Sequence, residues 1–173
     1  IFTGNFITPQ RTHLMIRGNP LSPGQEIPPG IPALLGKRPI DDTTAEARRR
    51  LTLAEAIASA DNPLTARVIV NRVWQHYFGV GIVDTPSDFG INGGYPTHPQ
   101  LLDWLASYLV AEEWSLKSLH RKLLMSTTFQ QASFARESAL KVDADCRLVW
   151  RFPPRRLAAE ALRDSILTAS GKL

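Results

Sequence analysis

The first group of side chains with chemical potential lies in a turn-rich stretch, residues 84–98, and on the helix predicted before it. His76 and His98 could act as acid and base, with Asp88 orienting one imidazole, as in a hydrolase. The same three side chains could instead be ligands of a metal ion. Their spacing matches no diagnostic motif, such as the His-Glu-x-x-His pair of zinc enzymes, so the sequence singles out neither site.

A structural role for the same stretch is the interpretation that the residues favour. Asp84 and Asp88 can cap turns or pair with Arg67 or Arg72, which would fix the stretch on the preceding helix. Asn71 lies on that helix and completes the predicted structural polar network. The sequence leaves enzymatic activity undecided and favours its absence. It predicts no metal or other cofactor in this chain, which lacks the Cys-x-x-Cys-His motif that attaches c-type haem.

Arginine and aromatic side chains alternate in a second group near the end of the chain. The members of this arginine cluster are Arg147, Arg151, Arg155, Arg156 and Arg163, with Trp150 and Phe152 between them. Such a pattern could bind a sulfated polysaccharide, another anion or single-stranded nucleic acid. However, Asp143, Asp145 and Asp164 are close in sequence and could neutralise much of the charge. Arg156 and Glu160 are also placed to pair on one predicted helix, so pairing inside the chain is the favoured alternative.

Composition limits the class of protein. The chain has 173 residues, of which 43% are hydrophobic and 21% charged, as is typical of one soluble globular domain. No apolar run is long enough to span a membrane, and the one cysteine excludes an internal disulfide. Arginine carries most of the net charge of +4. The Arg48–Arg50 run faces several directions and indicates a solvated face, so nucleic acid is not an expected partner.

One helix, residues 62–78, positions these side chains and organises the rest of the chain. Asn62 can cap its first turn, Pro63 suits the first helical position, and Gly79 favours the left-handed conformation that ends a helix. Apolar residues recur at helical spacing over most of its surface. This pattern predicts a central helix that is buried by others.

We predict an all-α fold in which residues 41–173 form a single helical domain of about five helices. The N-terminal part, residues 1–40, is predicted to contain a short strand at 10–17 and then an extended Pro/Gly-rich arm without regular structure. The first residues have neither an initiator Met nor a signal-peptide pattern. We therefore expect the chain to be a piece of a longer protein.

Start and end signals delimit the other helices. These are predicted at residues 43–60, 97–112 and 116–127 and between Pro154 and Gly171. Thr43 with Glu46 and Thr97 with Gln100 match capping boxes, and Ser115 can cap the helix that follows it. The residues expected to face the core are Leu53, Ala54, Ile57 and Ala58, then Leu116, Leu119, Leu123 and Leu124, and finally Ala158, Ala161, Leu162, Ile166 and Ala169.

Several motifs together resemble a known family. They are Asn62-Pro-Leu-Thr-Ala-Arg67, Asn71-Arg72-Val-Trp74, Phe78-Gly79, Thr85-Pro-Ser-Asp88-Phe-Gly90, His98-Pro-Gln-Leu-Leu-Asp-Trp-Leu105 and Arg155-Arg-Leu-Ala-Ala-Glu-Ala-Leu-Arg-Asp164. From about His13 the chain resembles a domain of unknown function typical of large planctomycete proteins. There the domain follows a companion uncharacterised domain and often a cytochrome-c-like haem domain. The resemblance implies export to the periplasm or cell surface and a domain that continues beyond Leu173, but it carries over no catalytic residue.

Three functions follow, in order of preference. The first is a non-catalytic structural and interaction module that packs on companion domains of a larger exported, cytochrome-c-associated protein. The second is a module that binds an anion or a sulfated polysaccharide through the arginine cluster. The third is a hydrolase or metal site around His76, Asp88 and His98.

Overall fold

The chain is mostly helical in the computed structural model, which describes residues 10–32, 40 and 44–172. The described helices are α1 (Glu46–Ile57), α2 (Thr65–Phe78), α3 (Pro99–Ala111), α4 (Leu116–Leu124), α5 (Thr127–Gln130), α6 (Glu137–Leu140) and α7 (Ala159–Ala169). Two strands, β1 (Thr12–Met15) and β2 (Pro23–Ile27), form a small sheet. The chain divides into two compact units, Ile1–Arg67 and Val68–Leu173. The sequence places the division at residue 40.

The first unit contains a β-hairpin, so the prediction of an all-α fold is only partly correct. β1 lies in the stretch for which the sequence predicts a strand, and it pairs antiparallel with β2 in a register that sets Thr12 opposite Ile27. β2 lies in the Pro/Gly-rich arm, where no regular structure is predicted. Pro23 occupies the first position of β2, where a strand tolerates proline because the missing N–H is not required. Residues 28–32 of the arm are described and lie outside β2, whereas residues 33–39 lie outside the described residues.

Asn62 forms the corner that leads into α2. Its side chain is buried, its Nδ2 donates to the carbonyl of Ile57 at 3.1 Å, and its Oδ1 accepts from the backbone N–H of Leu64 at 2.9 Å. Asn62 therefore caps this turn as predicted, although regular helix begins only at Thr65. At the other end, Gly79 adopts a φ of 88° and stops the helix, also as predicted.

The predicted caps of the other helices are only partly correct. Ala45 occupies the cap position of α1 without a side-chain hydrogen bond, and Thr43 lies outside the described residues. The second capping box is wrong, because Thr97 donates its hydroxyl to the carbonyl of Ile82 at 3.3 Å instead of capping α3. Ser115 caps α4 as predicted. Side chains that hold a loop cannot cap the neighbouring helix at the same time.

The core of the second unit is built from α2, the loop that follows it, α3 and α4. Its buried members are Val70, Trp74, Phe78, Ile82, Val83, Leu102, Leu105, Leu109, Leu119 and Leu123. On α4 the prediction is correct for Leu119 and Leu123 and wrong for Leu116 and Leu124, which are exposed. A short helix offers only a narrow strip to its neighbours, so the outer apolar residues stay in solvent.

The predicted inward faces of α1 and α7 are wrong. The exposed residues are Leu53, Ala54, Ile57 and Ala58 on the first helix and Ala158, Ala161, Leu162, Ile166 and Ala169 at the second. Helical periodicity shows that one face of a helix is apolar. It does not show whether another part of the described chain packs against that face. None of the described helices has both the length and the apolar character that are needed to cross a bilayer.

Candidate functional site: a pocket lined by arginines

Asn71 holds the loop after α2 against the helix. Its side chain is fully buried, with Nδ2 donating to the carbonyl of Val83 at 2.9 Å and Oδ1 accepting from the N–H of Val83 at 2.8 Å. Gly81 is required for this approach, because an added Cβ would lie 2.4 Å from the Val83 carbonyl oxygen and 2.7 Å from Asn71 Nδ2. The buried amide of Asn71 and the close approach of the backbone at Gly81 therefore fix the position of residues 81–83.

The aspartates of the predicted polar network have separate roles. Asp88 closes a turn, with Oδ1 accepting from the N–H of Gly90 at 2.8 Å. Asp84 instead lies 3.5 Å from a guanidinium nitrogen of Arg147, a residue that the sequence assigns to the arginine cluster. Of the arginines predicted to pair with them, Arg67 donates to the carbonyl of Pro63, and Arg72 is exposed on α2.

The histidines of the hydrolase and metal hypothesis do not assemble a ligand set. Nδ1 of His98 lies 2.9 Å from the hydroxyl of Thr97, and the side chain of His76 is exposed near the end of α2. Within the described ranges, no group of three or more His, Cys, Asp or Glu side chains is placed to hold a metal ion. His76, Asp88 and His98 are all among the described residues, and the structure does not bring them together as a metal-ligand set.

The arginine cluster divides into residues with different partners. Arg151 lies over the ring of Trp150, 4.8 Å from its centroid, and Arg163 pairs with its neighbour Asp164 at 3.2 Å. The predicted Arg156–Glu160 pair does not share a helix, because α7 begins only at Ala159. Among the residues that the structure describes, no carboxylate lies within 4.0 Å of Arg151, Arg155 or Arg156. Much of the positive charge is therefore not compensated by ion pairs.

Asp143 organises the backbone between the arginines rather than neutralising one of them. Its carboxylate accepts from the N–H of Arg147 at 2.9 Å and from the N–H of Leu148 at 2.7 Å. The turn that results holds Cys146 at a φ of 58° and Val149 at a φ of 53°. Left-handed conformations are costly for such residues, typically about 1–3 kcal/mol each, and persist only where surrounding contacts enforce them.

A pocket of 230 Å³ lies between this turn and the end of α2. Its polar lining is Thr97, Asp145, Cys146, Arg147 and Arg155, and its apolar lining includes Trp74, Phe78, Val149 and Pro153. Arg147 is 24% exposed and donates to the carbonyl of Gly81 at 3.4 Å, whereas Arg155 donates to the carbonyl of His76 at the end of α2. The sequence indicates these two arginines but not Cys146, which directly precedes Arg147 in the chain, or Thr97, which only the tertiary fold brings beside them.

Comparison with known proteins places the whole pocket within one family. Residues 49–173 match the family model PSD1, described as "Protein of unknown function (DUF1553)". The chain belongs to this family. The resemblance found in the sequence is thereby confirmed at the level of a domain of unknown function, and the family description assigns no activity to it. No curated protein and no solved structure matches the chain.

Proposed function

We propose that this DUF1553 chain is a non-catalytic structural and interaction module of a larger exported, cytochrome-c-associated protein, and that α7 is its docking helix. One observation carries the proposal: α7 exposes its apolar residues, with Leu162 51% and Ile166 59% accessible. A helix of 11 residues is marginal in water and depends on packing of its apolar face. The cover that α7 lacks among the described residues is supplied by a companion domain.

The chemistry around α7 specifies what the companion domain presents. Arg155 and Arg156 lie four and three residues before Ala159, the first residue of α7, and no carboxylate of the described residues lies within 4.0 Å of either. A complementary surface therefore has an apolar groove for α7 and carboxylates at its rim. The resemblance to planctomycete proteins supports a companion domain of the same polypeptide, exported to the periplasm or cell surface.

Amide hydrogen exchange tests this docking. We expect the amides of residues 159–169 to exchange at least about tenfold more slowly in the full-length natural protein than in the 173-residue chain, because packing suppresses local opening. The double variant Leu162→Glu, Ile166→Glu should restore fast exchange in the full-length protein. Leu116→Glu, an exposed leucine on α4, serves as the matched control and should leave the protection of α7 unchanged.

Two outcomes contradict the proposal. Equal exchange of α7 in both proteins means that no companion domain covers it. Protection in the 173-residue chain that rises with its concentration means that a second copy is the partner instead.

A second candidate function is the binding of a sulfated polysaccharide, and the unpaired charge of Arg151 and Arg156 favours it. In a titration with heparin we expect affinity to fall as salt rises and to drop about tenfold in the variant Arg151→Gln, Arg156→Gln. Arg163→Gln is the control, because Asp164 already neutralises that side chain. Binding that is insensitive to salt, or equal in both variants, removes this candidate.

A further inference from the structure

We infer that the pocket between Arg147 and Arg155 binds one compact oxyanion, a carboxylate, sulfate or phosphate, carried on a ring-sized and partly apolar body. The inference rests on the anion-binding candidate but names a different ligand, a single small molecule rather than a polymer. Both guanidinium groups are already oriented by backbone carbonyls, of Gly81 and of His76. Such preorganisation reduces the entropy lost when a ligand binds.

The guanidinium groups retain capacity for an anion. Each carries several N–H donors, and the Gly81 and His76 carbonyls each engage one nitrogen. Asp84 lies 3.5 Å from Arg147, beyond the usual length of an N–H···O hydrogen bond, so it leaves that cation open to a shorter contact. Arginine forms bidentate pairs with planar and tetrahedral oxyanions. A carboxylate, a sulfate or a phosphate therefore suits the free N–H donors of the two arginines.

Size and lining define the rest of the ligand. The pocket volume of 230 Å³ lies below the range of about 300–1,000 Å³ typical of small-molecule sites, which suits one ring with its anionic group better than an oligosaccharide. Trp74, Phe78 and Pro153 offer apolar walls to the ring. Asp145 is the carboxylate in the lining, against two arginines, and Asp84, which lies outside the lining, offsets part of the charge of Arg147. Asp145 should therefore weaken anion binding and select against ligands with several charges.

Cys146 provides a built-in reporter, because it is the sole cysteine of the chain and lines the pocket. Its alkylation can be followed by intact mass with two reagents of similar size, anionic iodoacetate and neutral iodoacetamide. We expect the ratio of the iodoacetate rate to the iodoacetamide rate to fall about tenfold in Arg155→Gln. The matched control is Arg156→Gln, which removes the same charge one residue outside the lining and should keep the ratio of the unmodified chain.

Occupancy is tested with small probes. Benzoate, phenyl sulfate and phenyl phosphate should each slow alkylation by iodoacetamide, and the strongest of the three identifies the preferred oxyanion. Neutral benzyl alcohol should not protect. Asp145→Asn should strengthen protection by the anions, and Arg155→Lys, which keeps the charge, should retain part of it. Unchanged melting temperatures of the variants show that the effects belong to the pocket.

Two results overturn the inference. An equal rate ratio in Arg155→Gln and Arg156→Gln excludes recognition of charge in the pocket, and equal protection by benzyl alcohol leaves only an apolar cavity. Its failure can be distinguished from failure of the polysaccharide candidate. Heparin binding that depends on Arg151 and Arg156 without any effect on Cys146 supports the polymer alone, whereas protection of Cys146 without heparin binding supports the pocket alone.

Discussion

Replacing Asn71 with leucine is expected to lower the free energy of unfolding by about 2–6 kcal/mol. Leucine has the same number of side-chain heavy atoms as asparagine but bulkier methyl groups, so the substitution removes the hydrogen bonds, opens no cavity and adds crowding in a tightly packed site. It leaves the N–H and the carbonyl of Val83 buried without their present partner, and each unsatisfied group costs about 1–3 kcal/mol. Urea unfolding followed by tryptophan fluorescence measures the loss.

Asn92→Leu is the control for this experiment. Asn92 belongs to the same loop but is exposed, so its replacement should change stability by no more than about 0.5 kcal/mol. If the two variants are equally stable, Asn71 does not hold the loop on α2. Because residues 81–83 also position the carbonyl that orients Arg147, Asn71→Leu should weaken protection of Cys146 by benzoate as well.

Truncating Leu119 to alanine should cost about 2–5 kcal/mol. The side chain is 0% exposed in the core of the second unit, and alanine would remove its contacts and leave a cavity. The measurement is again the midpoint and slope of urea unfolding, with an unchanged slope showing that the unfolding transition is the same.

Leu116→Ala is the matched variant, since both residues belong to α4 and both are leucines for which the sequence predicts burial. Leu116 is 48% exposed in the structure, so its truncation should cost less than about 1 kcal/mol. Equal losses at the two positions would mean that α4 is covered on both sides, contrary to the structure.

The elements of the fold that could be predicted are those with local chemical causes. Asn62 and Gly79 delimit α2 because an amide side chain and a residue tolerant of positive φ act within one turn of their own position. Ser115 caps α4 for the same reason. The hairpin could be predicted only in part, because the pairing of β1 depends on a second strand that proline content argues against.

The buried face of a helix could not be predicted in the same way. Leu116 and Leu119 follow the same helical period, yet only Leu119 meets the core. The sequence correctly identifies one side of α7 as apolar. Whether that side is exposed depends on what lies beside the helix rather than on its own residues.

The ion-pair partners of the arginines in the candidate site could not be predicted from the sequence either. The sequence indicates Arg147 and Arg155, whereas proximity in sequence suggests Asp143 as a neutralising partner. Asp143 instead uses its carboxylate for the backbone of its own turn, because short acidic side chains compete well for nearby N–H groups. The acid beside Arg147 is Asp84, and only the tertiary fold brings that residue near.

The connectivity of the pocket also bears on the order in which the second unit folds. The bonds between Asn71 and Val83 join residues 12 apart in sequence, whereas the bond from Arg155 to the carbonyl of His76 spans 79 residues. Closing the longer loop costs about 1.7 kcal/mol more in chain entropy. We therefore expect the loop on α2 to form before the arginines arrive. The pocket is then expected to assemble after this loop and to be lost before it in a partly unfolded molecule.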